Sequence, residues 1–174
     1  MVQKRKLKRR CDWPGENPLM VAYHDKEWGV PVHDDHTLFE FLILEGAQAG
    51  LTWQTVLNKR ENYRKSFSDF DVKKIAQYGV RDVRRLLSDS GIIRNRLKIA
   101  ATILNAKKFL EIQKEFGSFD TYIWQFTDEK TLVRPAENIG IQKSEEMSKA
   151  LKKRGFRFVG PTICYAFMQA IGMV

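Results

Sequence analysis

Residues 38–44 are almost wholly apolar, with Leu38, Phe39, Phe41, Leu42, Ile43 and Leu44, and the run ends on a carboxylate, Glu45. On a helix, Leu38, Phe41, Leu42 and Glu45 share one face. A carboxylate on an apolar face costs free energy unless it finds a partner. Gly46 and Gly50 follow, where the backbone can turn tightly or approach a ligand closely, and Trp53 closes the stretch with a large flat ring. An acid, a glycine-bearing turn and an indole in this order point to a pocket for a flat, electron-poor ligand.

The rest of the chain narrows the class. Its 174 residues suit one compact domain, and a hydrophobic fraction of 43% is enough for a core. No uninterrupted apolar window reaches transmembrane length, and no apolar core follows the basic N-terminus as in a signal peptide, so a cytoplasmic protein without membrane contact is expected. Two cysteines, Cys11 and Cys164, make a poor disulfide framework, in keeping with a reducing compartment. The net charge is +9, and six of the positive charges fall at Lys4, Arg5, Lys6, Lys8, Arg9 and Arg10. Without those six, 24 basic residues face 21 acidic ones, so the remainder is only mildly basic. Residues 1–10 therefore read as a disordered basic arm that either tracks a phosphate backbone or is a solvated extension, and residues 11–174 as the folded domain.

Residues 11–33 interleave aromatic residues with Pro14, Pro18 and Pro31 and are expected to be irregular. Cys11 and His24 are metal-capable, but a zinc site needs four ligands or three plus water, which leaves a packed cysteine and a hydrogen-bonded histidine as the simpler reading. His33 and His36 are expected at the surface. Asp34 or Asp35 can cap the helix leading to Glu45. Residues 52–65 read as one helix with Asn58, Lys59, Arg60, Glu61 and Arg64 outside and Tyr63 inside. Asp71 can cap a helix over 72–78, with Gly79 at its C-terminal end, and a short amphipathic helix covers 80–89.

Around Gly91 a helix ends, the chain turns, and a second helix begins with Ile93, Arg94, Arg96 and Lys98. This is the pattern of a helix-hairpin-helix, whose backbone N–H groups and basic side chains can meet a DNA phosphate; an ordinary helix–helix turn is the alternative. The longest helix is expected over 93–115, an aromatic one around Phe119–Phe126, a loop over 127–142 that includes Pro135, a helix from Ser144 to Lys153, and a last helix opened by Pro161, closed by Gly172 and burying Cys164. There are no repeats and no convincing strands. The fold is expected to be all-α.

Several of these segments together resemble one family. Cys-x-Trp at 11–13, Tyr-His-Asp-x-Glu-Trp-Gly at 23–29, Leu-Glu-Gly-x-Gln-Ala-Gly-Leu-x-Trp at 44–53, Lys-Arg-Glu-Asn-Tyr at 59–63, Gly-Ile-Ile-Arg at 91–94 and Lys-Lys-Arg-Gly-Phe-x-Phe-Val-Gly-x-Thr-Ile-Cys-Tyr at 152–165 are similar to the 3-methyladenine DNA glycosylase I family. The resemblance spans residues 11–174. It implies the helix-hairpin-helix DNA glycosylase fold and a monofunctional base-excision repair enzyme. Acting as a monomer on double-stranded DNA containing alkylated adenine, it flips the base into an aromatic pocket. Carried over by position, Glu45 hydrogen-bonds the base, Tyr23 and Trp53 pack on its faces, and Trp13 completes the wall. Gly50 and Leu51 wedge into the gap left in the duplex, while Gly91, Ile93, Arg94, Arg96 and Lys98 hold the backbone. No cofactor takes part in bond cleavage. The family's structural zinc uses the cysteine and histidine matching Cys11 and His24 plus a His and a Cys beyond the last helix. The sequence stops at Val174 without these, so only a half-site is expected.

The chemistry of the lesion agrees with those residue types. 3-Methyladenine in DNA is cationic, so its glycosidic bond is weakened, and a carboxylate and an indole both favour the cation, the indole by about 2 kcal/mol when desolvated. Flipping costs a few kcal/mol, which those contacts must offset. Two other readings share the same residues: a binding module for damaged DNA, and a glycosylase for other alkylated purines such as 7-methylguanine.

Overall fold

A computed structural model describes residues 10–132 and 137–174; residues 1–9 of the basic arm and Pro135 lie outside the described residues. The chain is built of ten α-helices among the described residues, with two short 3₁₀ turns at Ser68–Phe70 and Gln125–Thr127 and no strand. The all-α expectation holds.

Helix α2 (Asp35–Gln48) is the centre. Every residue from Leu38 to Ala47 is buried, so the apolar run is enclosed on all sides and carries Glu45 and Glu40 inside with it. Asp34 caps it by accepting from the Thr37 N–H at 2.8 Å. Asp35 is thereby free for another task. Its carboxylate accepts from the N–H groups of Phe119 and Asp120 at 2.9 and 2.8 Å and from Gln113 Nε2 at 2.7 Å. The start of α8 (Phe119–Trp124) is thus tied to the start of α2. Helices α3 (Trp53–Leu57), α7 (Arg96–Phe116), α8 and α10 (Pro161–Ala170) all pack on α2, and α9 (Glu137–Lys153) packs on α10.

Several local expectations are corrected. The segment 11–33 contains a helix, α1 (Pro18–Lys26), because Asn17 accepts from the N–H groups of Leu19 and Met20 and Pro18 occupies the first helical position, where its ring is pre-shaped for the helix. The single helix expected over 52–65 is two, α3 and α4 (Arg60–Ser66), parted at Asn58–Lys59. Arg60, expected outside, is buried, because Glu40 and Glu27 accept from its guanidinium at 2.7 and 2.6 Å. Helix α5 (Val72–Ile75) stops short of Gly79, which instead caps the start of α6 (Val80–Ser88) and donates its N–H to Asp82 at 3.0 Å. Helix α7 starts at Arg96 rather than 93, because the Asn95 side chain caps the N–H groups of Leu97 and Lys98. Helix α9 begins at Glu137, so Ser144 is not a cap; it lies within the helix, buried, donating to the Ile141 carbonyl at 2.7 Å.

The two ends of the fold meet where α10 stops. Gly29 N–H donates to the Gln169 carbonyl and Val32 N–H to the Ile171 carbonyl, at 3.1 and 3.2 Å. Gly172 has φ +75°, and a Cβ there would stand 2.6 Å from the backbone at Val30 and Pro31. The glycine permits both the turn and the close approach that brings the segment after α1 beside the end of α10.

Candidate active site

Helices α1, α2, α3 and α10 contribute to an open cavity of about 290 Å³. Glu45 enters it from the last turns of α2, Tyr23 from α1, and Trp53 from the first position of α3, which Thr52 caps. Trp13 and Trp28 form an outer aromatic wall, with ring centroids 5.3 Å apart. The four expected pocket residues, Glu45, Tyr23, Trp53 and Trp13, are therefore brought together.

Two residues that line this cavity each carry a buried polar atom with no hydrogen-bond partner among the described residues: Oε2 of Glu45 and Nε1 of Trp53. A protein-internal role for Glu45, with its carboxylate satisfied by backbone donors, is not what the geometry gives. Its residue is 3% exposed, and burial pushes the carboxyl up to about 8. Burial also raises the Tyr23 phenol well above its ordinary range, and the nearby Glu45 charge adds to that. Tyr23 and Trp53 have centroids 5.1 Å apart at an interplanar angle of 45°, the separation of rings in direct contact.

Four cavity residues went unassigned in the sequence reading. Gln48 lies three positions after Glu45, on the same helical face, and that spacing was a usable signal. Trp28 stood among the aromatics of the N-terminal segment without a role. Ala166 and Gln169 come from α10, whose residues carry no mark of a cavity wall in the sequence.

The turn after α2 places Gly50 at φ +77° and leaves Leu51 41% exposed, an apolar side chain on the turn between α2 and α3. The hairpin between α6 and α7 differs from expectation in which donors it leaves free. The Gly91 N–H goes to Asp89 Oδ1 at 2.7 Å and the Ile93 N–H to the Tyr63 hydroxyl at 3.3 Å. Neither is available to a phosphate in this arrangement. Lys98 also turns inward, donating to the carbonyls of Ala47 and Ala49 at 2.8 and 2.7 Å. Arg94 and Arg96 remain exposed and stand outside the ion pairs of the described residues. Lys59 braces the same turn by donating to the Ser90 carbonyl at 3.0 Å.

Cys11 and His24 lie together, but the described residues contain no group of three or more His, Cys, Asp or Glu side chains able to hold a metal. His24 Nε2 faces the Cys11 N–H at 3.4 Å and its Nδ1 pairs with Asp25 at 2.9 Å. Both ring nitrogens are thus engaged, and the two donors fall short of the four that a structural zinc takes. The residues described here do not fit a zinc ion. Asp25 is also held by Arg10, the one described residue of the basic arm, at 2.6 Å.

A family model described as methyladenine glycosylase matches residues 13–174. The chain is 50% identical over 170 residues to DNA-3-methyladenine glycosylase 1 of Escherichia coli (strain K12), covering 95% of this chain and 91% of that protein. A crystal structure of 3-methyladenine DNA glycosylase I superimposes with a TM-score of 0.89 at 50% identity, covering 95% of this chain and 94% of that one. A structure of a 3-methyladenine DNA glycosylase I variant in complex with 3-methyladenine superimposes with a TM-score of 0.87 at 33% identity, covering 95% and 92%.

Proposed function

The chain belongs to the methyladenine glycosylase family, and we propose that it works through the cavity around Glu45 and Trp53. It is a DNA-3-methyladenine glycosylase, a hydrolase of N-glycosyl bonds acting in base-excision repair on DNA with alkylated bases. The site assignment is our reading, and the observation that carries it is that two residues lining one aromatic cavity, Glu45 and Trp53, each bear an unpartnered buried atom, Oε2 and Nε1. Unsatisfied buried polar groups cost about 1–3 kcal/mol each, so their retention at a cavity wall is accounted for by a ligand that satisfies them.

The flipped base enters with its positive charge. That charge favours the ionised form of Glu45, whose proton is otherwise held by burial. The C1′–N bond then breaks with its electron pair going to the base, which leaves as neutral 3-methyladenine and needs no proton from the protein. Water adds to C1′ of the oxocarbenium-like sugar and loses a proton. Normal adenine carries no charge and gains little from a carboxylate or from the faces of the tryptophan rings. Leu51, on its exposed turn, fills the space the nucleotide leaves, and Arg94 and Arg96 hold the phosphates.

Release of free 3-methyladenine from methylated duplex tests the reading. The wild-type chain should release it, while Glu45→Gln should be slower by about 100-fold with affinity for undamaged duplex unchanged. Full activity of Glu45→Gln overturns the assignment.

A further inference from the structure

Lys98 lies in the basic cluster that begins α7, two residues beyond Arg96, yet its ammonium points away from that cluster and into the end of α2. It donates to the Ala47 carbonyl at 2.8 Å and to the Ala49 carbonyl at 2.7 Å. Those two carbonyls flank the last residue of α2 and immediately precede Gly50, where the chain turns at φ +77° to present Leu51. Terminal helix carbonyls have no partner within their own helix, and a cation there is favoured by the helix dipole as well as by hydrogen bonding. The turn has little else to hold it: Leu51 N–H donates to the Gln48 carbonyl at 2.7 Å, and Gly50 and Leu51 are exposed. The hairpin that carries Arg94 and Arg96 is in contrast braced on its other side by Lys59, Tyr63 and the Ser66–Asp89 hydrogen bond.

We propose that Lys98 is a positioning residue which couples the hairpin to the wedge: it fixes the Gly50–Leu51 turn at a set distance from the arginines that grip the DNA backbone. This rests on the reading of Leu51 as the wedge. The hairpin is the rigid member and the turn the compliant one, so phosphate contacts at Arg94 and Arg96 place Leu51 against the base pair only while the strut is intact. A charge count assigns Lys98 to the phosphates; its two short bonds to carbonyls assign it to the protein instead. Displacement of a positioned group by about 1 Å is enough to cost on the order of 100-fold in rate.

A double-mutant cycle on the full chain tests this, with single-turnover release of 3-methyladenine from methylated duplex as the readout. Lys98→Met keeps the stem and removes the donors. Lys98→Met and Leu51→Ala should each slow release by about 10-fold or more, and the double variant should be no slower than Leu51→Ala alone. The slope of log affinity against log salt on undamaged duplex should not change in Lys98→Met, and Lys98→Arg, which retains donors for both carbonyls, should recover part of the rate. If Lys98→Met does not fold, the same cycle is run with Lys98→Arg, whose smaller loss should likewise vanish in the Leu51→Ala background. Losses that add, a rate unaffected by Lys98→Met, or a salt slope shallower by about 0.9, the mark of a phosphate ligand, overturn the proposal. A Leu51→Ala variant with full activity removes the wedge reading itself and the proposal with it.

Discussion

Glu45 and Trp53 line one cavity, and the Oε2 of the one and the Nε1 of the other are buried with no partner among the described residues. They come from different helices, α2 and α3, joined by the Gly50 turn. The native protein therefore carries a cost at this site that a protein selected only for stability would not keep.

That cost depends on pH. Burial raises the Glu45 carboxyl from its ordinary 4.5 to about 8. The folded state thus holds a proton that the unfolded chain releases, so this group's contribution to stability is fully present below pH 4.5 and is lost as pH rises towards 8. Glu45→Gln carries no such penalty. Its melting temperature relative to wild type should rise by several degrees between about pH 5 and pH 8. A difference between the two proteins that stays constant with pH contradicts a desolvated acid at this position.

Trp53→Phe separates the indole N–H from the ring. The variant removes an unsatisfied buried donor, so its melting temperature should equal or exceed that of the wild type. If the N–H reads the base, single-turnover release should nevertheless fall by about 10-fold. Scanning calorimetry and base release on one preparation decide it: a stable, fully active variant leaves the ring alone as the functional part.

Arg60 is a buried cation shared between Glu40 and Glu27, and its guanidinium also lies 5.3 Å from the centroid of the Phe41 ring, which neighbours Tyr23. It ties α1 and α2 to α4 behind the pocket. Arg60→Met should destabilise by at most about 3 kcal/mol in urea unfolding, because it leaves the buried Glu40 to Arg64 alone, which donates to it at 2.9 and 3.2 Å. Adding Glu40→Gln should recover part of that loss. No recovery would assign the cost to packing of the arginine stem instead.

Arg94 and Arg96 should act on the DNA backbone. Replacing either with alanine should weaken binding to undamaged duplex and reduce the salt slope by about 0.9 per contact. A slope equal to wild type in both variants moves the backbone grip elsewhere on the surface.

Much of this site was legible from residue order, for reasons that differ from residue to residue. Glu45 was marked by standing at the end of an apolar run, where helical spacing alone places it on a buried face. Gly50 was marked as a turn because few other residues take positive φ there. Helix α1 was obscured because Pro18 looks like a breaker, although at the first position of a helix it is a starter. The start of α9 was placed too late because Gly140 and the polar residues before Ser144 suggested a loop. A Cβ at Gly140 would lie 3.0 Å from the Tyr165 ring, so that glycine serves close packing against α10.

Local periodicity and the order of residue types were thus sufficient to determine an all-α chain and the capped helix into the acid, and to single out Glu45 and Trp53 as candidates for one pocket; Tyr23 and Trp13 joined them only through the family resemblance. Only the tertiary structure decided which charges are free. Arg60 and Lys98 read as surface cations, but their partners sit on α2 and, for Arg60, also just beyond α1, many residues away, and those partners turn them inward. Likewise Gln169 becomes a wall of the cavity because Gly172 lets α10 close onto the segment after α1. The physical reason is reach. A helix follows from neighbours a few positions apart, whereas the partner of a long side chain, or the wall of a pocket, is set by whichever distant segment the packed core brings alongside.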